Sequence, residues 1–274
     1  MKIIRTISEM QEYSRKERLE GKRIGVVPTM GYLHDGHLSL VDRARELADF
    51  VVVTIFVNPT QFGPFEDLDK YPRDFERDCE QCMAHGVGAI FAPSADDMYY
   101  PGHSTWVTEE ALTPDLCGSR RPNHFRGVTT VVAKLFNAVL PDVAVFGQKD
   151  AQQALVIRRM VRDLNFPIEI VIAPLVREAD GLAMSSRNRY LSPEERRRAL
   201  AISRILLGLT PGKVNADMIW DGITRAGGRV DYVEVRDADT LGEITADTRE
   251  ILVAVAAYFG STRLIDNVVL PHVH

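Results

Sequence analysis

Residues 50–57, Phe-Val-Val-Val-Thr-Ile-Phe-Val, form an unbroken apolar run of strand length. A strand covered on both faces of a parallel sheet reads this way, because no position along it meets water. On its amino-terminal side, Leu38, Val41, Ala44 and Leu47 recur at three-residue spacing and predict a helix. Before that helix, 24–27 is a short β-branched run ending at Pro28. On the other side a helical stretch over 73–85 precedes the apolar Ala89-Ile90-Phe91. A helix over 127–140, a strand over 143–146, a helix over 150–164 and a strand over 167–172 continue the series. Val128, Val131, Val132, Leu135, Phe136 and Val139 mark a core-facing side of the first of these helices. Strands alternating with helices of this length predict βαβ units and an α/β fold with a doubly wound parallel sheet.

The character changes after Pro174. Ser192-Pro193-Glu194-Glu195 combines a serine cap, proline at the first helical position and glutamate at the capping-box position. Beyond Pro211-Gly212 the pattern is a helix, then strands over 229–235, 251–257 and 263–265. The expected organisation is a larger domain over 1–175 and a smaller α+β domain over 176–274.

The 274 residues are 45% hydrophobic and 26% charged, the balance of an ordinary globular chain. A formal net charge of -5 without a long basic run argues against nucleic acid as the main partner. No stretch approaches the roughly 20 apolar residues that span a bilayer, and Met1–Arg5 turns polar at once, without a signal-peptide core. These features predict a cytoplasmic protein with no membrane partner. Three cysteines do not make a disulfide framework. Cys79 and Cys82 have CxxC spacing inside a charged helical stretch and read as incidental. His272 and His274 read as a frayed tail rather than a metal pair.

Four segments carry chemistry. Pro28-Thr-Met-Gly-Tyr-Leu-His34-Asp-Gly36-His37 lies between the first strand and the first helix of the series. Ligands of open α/β sheets bind outside the carboxyl ends of the strands. Histidines three apart on a first helical turn project from one side, and a helix amino terminus attracts anions. Gly31 and Gly36 permit close approach of a phosphate or nucleobase, so this segment points to phosphate chemistry. Met184-Ser185-Ser186-Arg187 offers two hydroxyls and a guanidinium, a phosphate clamp. Asn58 and Gln61, directly after 50–57, suit substrate hydroxyls or carboxylates, with an ordinary Asn-Pro turn as the equal alternative. In Phe146-Gly147-Gln148-Lys149-Asp150, Lys149 suits a phosphate and Gln153 lies one helical turn away; a surface Lys-Asp pair is the plain alternative. Arg120, Arg121 and Arg126 suit a nucleotide pocket or a solvated basic loop equally.

The phosphate-loop, zinc-helix and nucleophile-elbow motifs do not occur. The order and spacing of PTMGYLHDGH, FVNPTQFGPFEDLDKYPRD, FGQKDAQQ, MSSRNRYLSPEER and GSTRLIDN resemble the pantoate–β-alanine ligase family over about residues 3–270. The HxGH and SSR pair is similar to the HIGH and KMSKS signatures of adenylating nucleotidyltransferases. The resemblance implies a Rossmann-like ATP domain, a smaller carboxy-terminal lid domain and a homodimer. It implies ATP as co-substrate with Mg²⁺, and pantoate and β-alanine as substrates. By the same resemblance Met30, Gly31, Tyr32, Leu33, His34, Asp35, Gly36 and His37 bind ATP, with His37 catalytic. Gly147, Gln148, Lys149, Asp150, Val176, Met184, Ser185, Ser186 and Arg187 complete the ATP contacts. Gln61 and Gln153 bind pantoate, and Gln61 also faces β-alanine. His34, Lys149, Ser185, Ser186 and Arg187 are the further candidates for stabilising charge in the reaction. Asp150 and the acidic stretch Glu66-Asp67-Leu68-Asp69 are candidates to assist the metal, but the sequence assigns it no protein ligand.

Two other readings compete. An aminoacyl-tRNA synthetase shares the signatures, but this acidic chain has no room for a sizeable anticodon-binding domain. A nucleotidyltransferase on another substrate, or a non-catalytic nucleotide-binding relative, keeps the fold with a different outcome.

Overall fold

The computed structural model describes residues 1–64 and 66–273, so His274 lies outside it. The elements in chain order are β1 (Lys2–Ile4), α1 (Ile7–Leu19), β2 (Ile24–Thr29), α2 (Asp35–Leu47), β3 (Phe50–Ile55) and α3 (Phe75–Ala84). They continue with β4 (Ala89–Phe91), α4 (Ala95–Met98), α5 (Cys117–Arg120), α6 (His124–Val139), β5 (Val143–Gly147), α7 (Ala151–Asp163) and β6 (Glu169–Ala173). The series closes with α8 (Pro193–Leu207), α9 (Ala216–Arg225), β7 (Arg229–Asp237), β8 (Glu250–Phe259) and β9 (Thr262–Pro271). Among the described residues, short 3₁₀ helices interrupt the loops at Pro59–Gln61, Gln148–Asp150 and Ser186–Tyr190.

The chain forms two compact units. Met1–Gly147 with Val156–Ala173 make the first; Gln148–Leu155 and the chain from Pro174 on make the second. In the first, six parallel strands run in the order β1-β4-β3-β2-β5-β6. Strand order reverses at β2, whose neighbours are β3 on one side and β5 on the other, a topological switch point. Phe50, Val51, Val52 and Val53 of β3 are all buried. Leu38, Val41 and Ala44 of α2 share a core with Val27, Val53 and Val145. The apolar side of α6, from Val128 to Val139, is buried too. β1 and α1 are additions to the sequence reading. A three-residue strand that buries only Ile4 gives no alternation to detect.

Cys82 belongs to this core and Cys79 packs against it; both thiols are free. Burial, with Asp78 and Cys79 adding to it, pushes the Cys82 thiol up to about 12, so it is an unreactive core residue.

The second unit is an antiparallel sheet in the order β7-β8-β9. Ser192 and Glu195 form the expected reciprocal cap of α8, with Pro193 at the first position. Ala199, Ile202 and Leu206 of α8 and Ile219 and Ile223 of α9 meet Val253, Val255 and Phe259 of β8 in one core. No helix among the described residues is long and apolar enough to cross a membrane.

Candidate active site

In the first unit the site grows from the carboxyl end of β2. Thr29 donates its hydroxyl to the carbonyl of Thr54 at 2.7 Å, locking β2 to β3, and accepts the N–H of Gly31 at 3.1 Å. Gly31 then turns left-handed (φ +79°), where a Cβ would lie 3.0 Å from both Asp78 and Ile55. Tyr32 is also left-handed (φ 51°), an arrangement that costs an L-residue about 1–2 kcal/mol.

What holds this turn is Asp78 on α3, which the sequence reading did not single out. Its carboxylate accepts the N–H of Tyr32 at 2.8 Å and of Leu33 at 2.7 Å, and it is 1% exposed. Burial pushes its pKa above the ordinary value against the pull of the two N–H bonds, and the rise prevails. The adjacent Arg77 donates to the carbonyl of Leu33 at 3.2 Å and lies over the Tyr32 ring. Loop and helix are thus tied on both backbone faces just before His34.

His34 caps α2 in extended conformation, and its carbonyl accepts the N–H groups of His37 and Leu38 at 2.7 and 3.1 Å. The two imidazoles stack, with centroids 4.0 Å apart and planes at 26°. The expected common side is therefore what forms. Asp35 and Gly36 occupy the first turn between them. The amino terminus of α2 adds its N–H groups and dipole at the same place, a setting for an anion.

Gln61 connects the segment after β3 to this loop. Its Nε2 donates to the Sδ of Met30 at 3.2 Å, and its Oε1 accepts from Asn58 Nδ2 at 3.1 Å. Asn58 is 1% exposed. Its amide nitrogen also donates to the carbonyl of Gly127 at 3.2 Å, and its oxygen accepts from Thr60 and Tyr99 hydroxyls at 3.0 and 2.9 Å. The Asn-Pro turn therefore forms, and Asn58 both builds it and orients Gln61. Gly127 lets α6 approach, since a Cβ there would lie 2.5 Å from the Thr60 carbonyl oxygen. Arg121 is no solvated loop residue; its Nε and Nη2 donate to Glu66, each at 2.6 Å.

In the second unit, Gln148–Asp150 form a 3₁₀ turn leading into α7, with Lys149 Nζ 3.6 Å from Asp150 and Gln153 one turn further on. Asn267 holds that turn. Its Nδ2 donates to the carbonyls of Gln148 and Lys149 at 2.9 and 3.0 Å, and its Oδ1 accepts from Gln148 Nε2 at 3.2 Å. Asp266, 3% exposed, accepts the Asn267 N–H and takes both Nη atoms of Arg177, at 2.7 and 2.9 Å. The carboxy-terminal strand β9 therefore fixes the lysine turn.

Val176 and Met184 are paired by a backbone bond of 3.0 Å, and Arg177 bridges Ala183, so 176–184 is a tight hairpin. Ser185 accepts the N–H of Arg187 at 3.3 Å and starts the turn carrying Ser186 and Arg187. Asn188, 6% exposed, ties that turn back to the hairpin by donating to Glu178 at 2.6 Å and to the Ala183 carbonyl at 3.0 Å. Arg196 bonds both Glu178 and Asp180; burial works to raise the Asp180 pKa, but the Leu182 N–H and then Arg196 outweigh it and keep the carboxyl below its usual range. In the first unit the structure brings Gln61 to the Met30 loop, and in the second the Lys149 turn and the Ser186 turn each pack on β9. The supporting Asp78 and Glu178 lie outside every quoted motif, and Asp266 and Asn267, which close the GSTRLIDN stretch, receive no role from the sequence.

The family described as Pantoate-beta-alanine ligase matches residues 2–269. The chain is 55% identical to a pantothenate synthetase of Moorella thermoacetica, over 98% of this chain and 99% of that protein. A pantothenate synthetase of Thermotoga petrophila is also 55% identical, over 98% and 100%. The crystal structure of pantothenate synthetase from Thermus thermophilus superposes with a TM-score of 0.88 at 45% identity, covering 98% of this chain and 99% of that one. A pantoate-beta-alanine ligase from Francisella tularensis, solved with beta-gamma ATP and beta-alanine, gives 0.85 at 33% identity over 98% and 97%.

Proposed function

This chain belongs to the pantoate–β-alanine ligase family, and we propose from that premise how its residues join pantoate to β-alanine with ATP. The observation that carries the account is the stacked His34–His37 pair on the amino terminus of α2, at the carboxyl end of β2.

The first step is attack of a pantoate carboxylate oxygen on the α-phosphorus. The bond to the bridging oxygen breaks, giving pantoyl adenylate and pyrophosphate. Charge grows on the nonbridging oxygens and on the leaving group, so catalysis is positioning and electrostatic stabilisation. His37 and His34 supply donors to the α-phosphate, and the α2 terminus adds N–H groups. Lys149, Ser185, Ser186 and Arg187 supply hydroxyls and positive charge to the remaining phosphates. Met30–Leu33, Asp35, Gly36, Gly147, Gln148, Asp150, Val176 and Met184 complete the nucleotide contacts. In the second step the β-alanine amine attacks the acyl carbon, AMP departs, and the nitrogen loses a proton. Gln61 and Gln153 hold pantoate through uncharged hydrogen bonds that leave its carboxylate nucleophilic. Gln61 also meets β-alanine, and Asn58 acts by orienting Gln61.

Mg²⁺ accompanies ATP in this account. Among the described residues no group of three His, Cys, Asp or Glu side chains could hold a metal, and Glu66 is engaged by Arg121. The residues do not build a cage, so phosphate oxygens and water would hold the ion; no step is routed through it. We further propose a cytoplasmic homodimer with a carboxy-terminal lid, as the resemblance implies.

The test is release of pyrophosphate and AMP from ATP and Mg²⁺ with pantoate, β-alanine being present or omitted. Pantoate-dependent pyrophosphate, with steady AMP turnover only when β-alanine is added, is expected. A stable nucleotide-containing product with no amine requirement would favour the nucleotidyltransferase reading instead.

A further inference from the structure

The ligation chemistry involves two carboxylates with opposite needs. Pantoate's is the nucleophile, and a bidentate cationic clamp would tie up the lone pairs it must use. That of β-alanine is a spectator, charged before and after the reaction, and it calls for a lasting cationic partner. Gln61 and Gln153 bring no charge to it.

Arg121, in the first unit with Gln61, has the required form. Its Nε and Nη2 donate to the two oxygens of Glu66, each at 2.6 Å, a fork-to-carboxylate pair. Its other contacts would hold it in place without Glu66. Nη2 reaches the Gln61 carbonyl oxygen at 3.5 Å, and Nη1 lies 3.0 Å from Nε2 of His124. His124 Nδ1 lies 2.8 Å from the same carbonyl oxygen, which can only accept. Nδ1 therefore carries the hydrogen, and Nε2 turns its lone pair toward Arg121. The imidazole is 8% exposed, so the arginine is braced from behind. The ion pair itself keeps 19% exposure on Arg121 and 27% on Glu66, so water can reach it and another carboxylate can replace Glu66. The backbone of Gln61 thus fixes this guanidinium, while its side chain is the one matched to β-alanine.

Resting on the ligase reading above, we propose that Arg121 is the receptor for the β-alanine carboxylate and sets specificity in the second half-reaction. Glu66 fills the same place as an internal carboxylate until the substrate displaces it. Arg121 discriminates β-alanine from amines of the same length that lack the charge. His124 is the positioning residue that keeps the fork aimed.

The experiment measures the half-reactions separately in the full chain: pantoate-dependent pyrophosphate release, and amide formation against β-alanine or β-alaninamide. Arg121→Lys and Arg121→Ala are expected to raise KM for β-alanine about 10²-fold, the scale of losing paired bonds to a charged group. Pyrophosphate release should stay within about twofold, as for an uncoupled site. The preference for β-alanine over β-alaninamide should collapse in both variants. Glu66→Gln removes the competing charge and should lower KM for β-alanine by about two- to tenfold, because more of the enzyme is ready to bind. Equal damage to pyrophosphate release in the Arg121 variants would overturn the proposal. So would a Glu66→Gln enzyme as impaired as Arg121→Lys, since the pair would then be only a structural clasp. A wild-type protein with no pantoate-dependent pyrophosphate release would overturn the underlying ligase reading, and this proposal with it.

Discussion

Asp78 Oδ1 accepts the backbone N–H of Leu33 at 2.7 Å, one residue before the first histidine of the stacked pair. Helix α3 thereby sets the loop that presents His34, although Asp78 and His34 are far apart in sequence. Asp78→Asn keeps the shape, but its amide nitrogen must face the N–H of Tyr32 or Leu33. A buried donor left without an acceptor costs about 1–3 kcal/mol. Part of that cost should appear as lost stability and part as a misplaced loop. The expected result is a folded enzyme whose kcat/KM for ATP falls about tenfold, the equivalent of about 1.4 kcal/mol. Steady-state kinetics with a thermal melt would check it; unchanged kinetics would show that the loop keeps its form without the carboxylate.

The histidines stack at 4.0 Å and share one helix terminus, so they act as a unit. His37→Ala should lower the rate about 10²-fold or more, the usual loss for one group stabilising the transition state. His34→Ala should cost less, and the double variant should fall well short of the product of the two, as residues acting together do. Pyrophosphate release gives the measurement. Fully multiplicative effects would separate the two into independent roles.

Much of the fold was legible because its strands are continuous apolar runs and its helices carry strong periodicity. Phe50–Ile55 and the apolar side of α6 are examples. The segments expected to carry the chemistry stood out because they sit at strand-to-helix turns, where glycine, histidine and lysine are conspicuous. What could not be read were residues acting across the chain. Asp78 lies in a charged helix beside two cysteines, where an aspartate looks like solvated surface. Its role depends on two backbone N–H groups more than 40 residues earlier, and no local pattern encodes that. Asn267 is similar: it closes the GSTRLIDN stretch without a role legible there, and only the turn at Gln148 and Lys149 gives it a purpose. Arg121 was equally ambiguous, because a guanidinium in a loop says nothing of a carboxylate 55 residues away.

Asp237 provides a test in acid. Burial works to raise its pKa, but bonds from the Thr248 and Thr240 hydroxyls and the N–H groups of Thr240 and Asp239 outweigh it and hold the value below 3.8. A carboxyl depressed in the folded state binds protons less readily than in the unfolded chain. Its stabilising contribution is therefore present above about 3.8 and is lost as pH falls through the lower folded value. Asp237→Asn should melt below the wild type at neutral pH, and the gap should close as pH falls below that range. A gap independent of pH would assign the effect to the shape of the β7–β8 loop rather than to its charge.

Asn267 gives the sharpest test of how the lysine turn is held. Its amide donates to two carbonyls, those of Gln148 and Lys149, at 2.9 and 3.0 Å. Asn267→Asp is nearly isosteric, yet it sets a carboxylate oxygen against both carbonyl oxygens. Asn267→Ala only deletes the contacts. The charged variant should therefore be the worse of the two, the reverse of a ranking by side-chain size. For Asn267→Ala, loss of the two donated hydrogen bonds at about 1 kcal/mol each predicts up to about a thirtyfold rise in KM for ATP. The melting temperature should fall by several degrees, at about 3 °C per kcal/mol for a chain of this length. Lys149→Ala is the reference. It removes the cation itself, so it should lower kcat about 10²-fold with the fold intact. If Asn267→Asp bound ATP as the wild type does, the turn would be held by its own backbone, and Lys149 would owe nothing to β9.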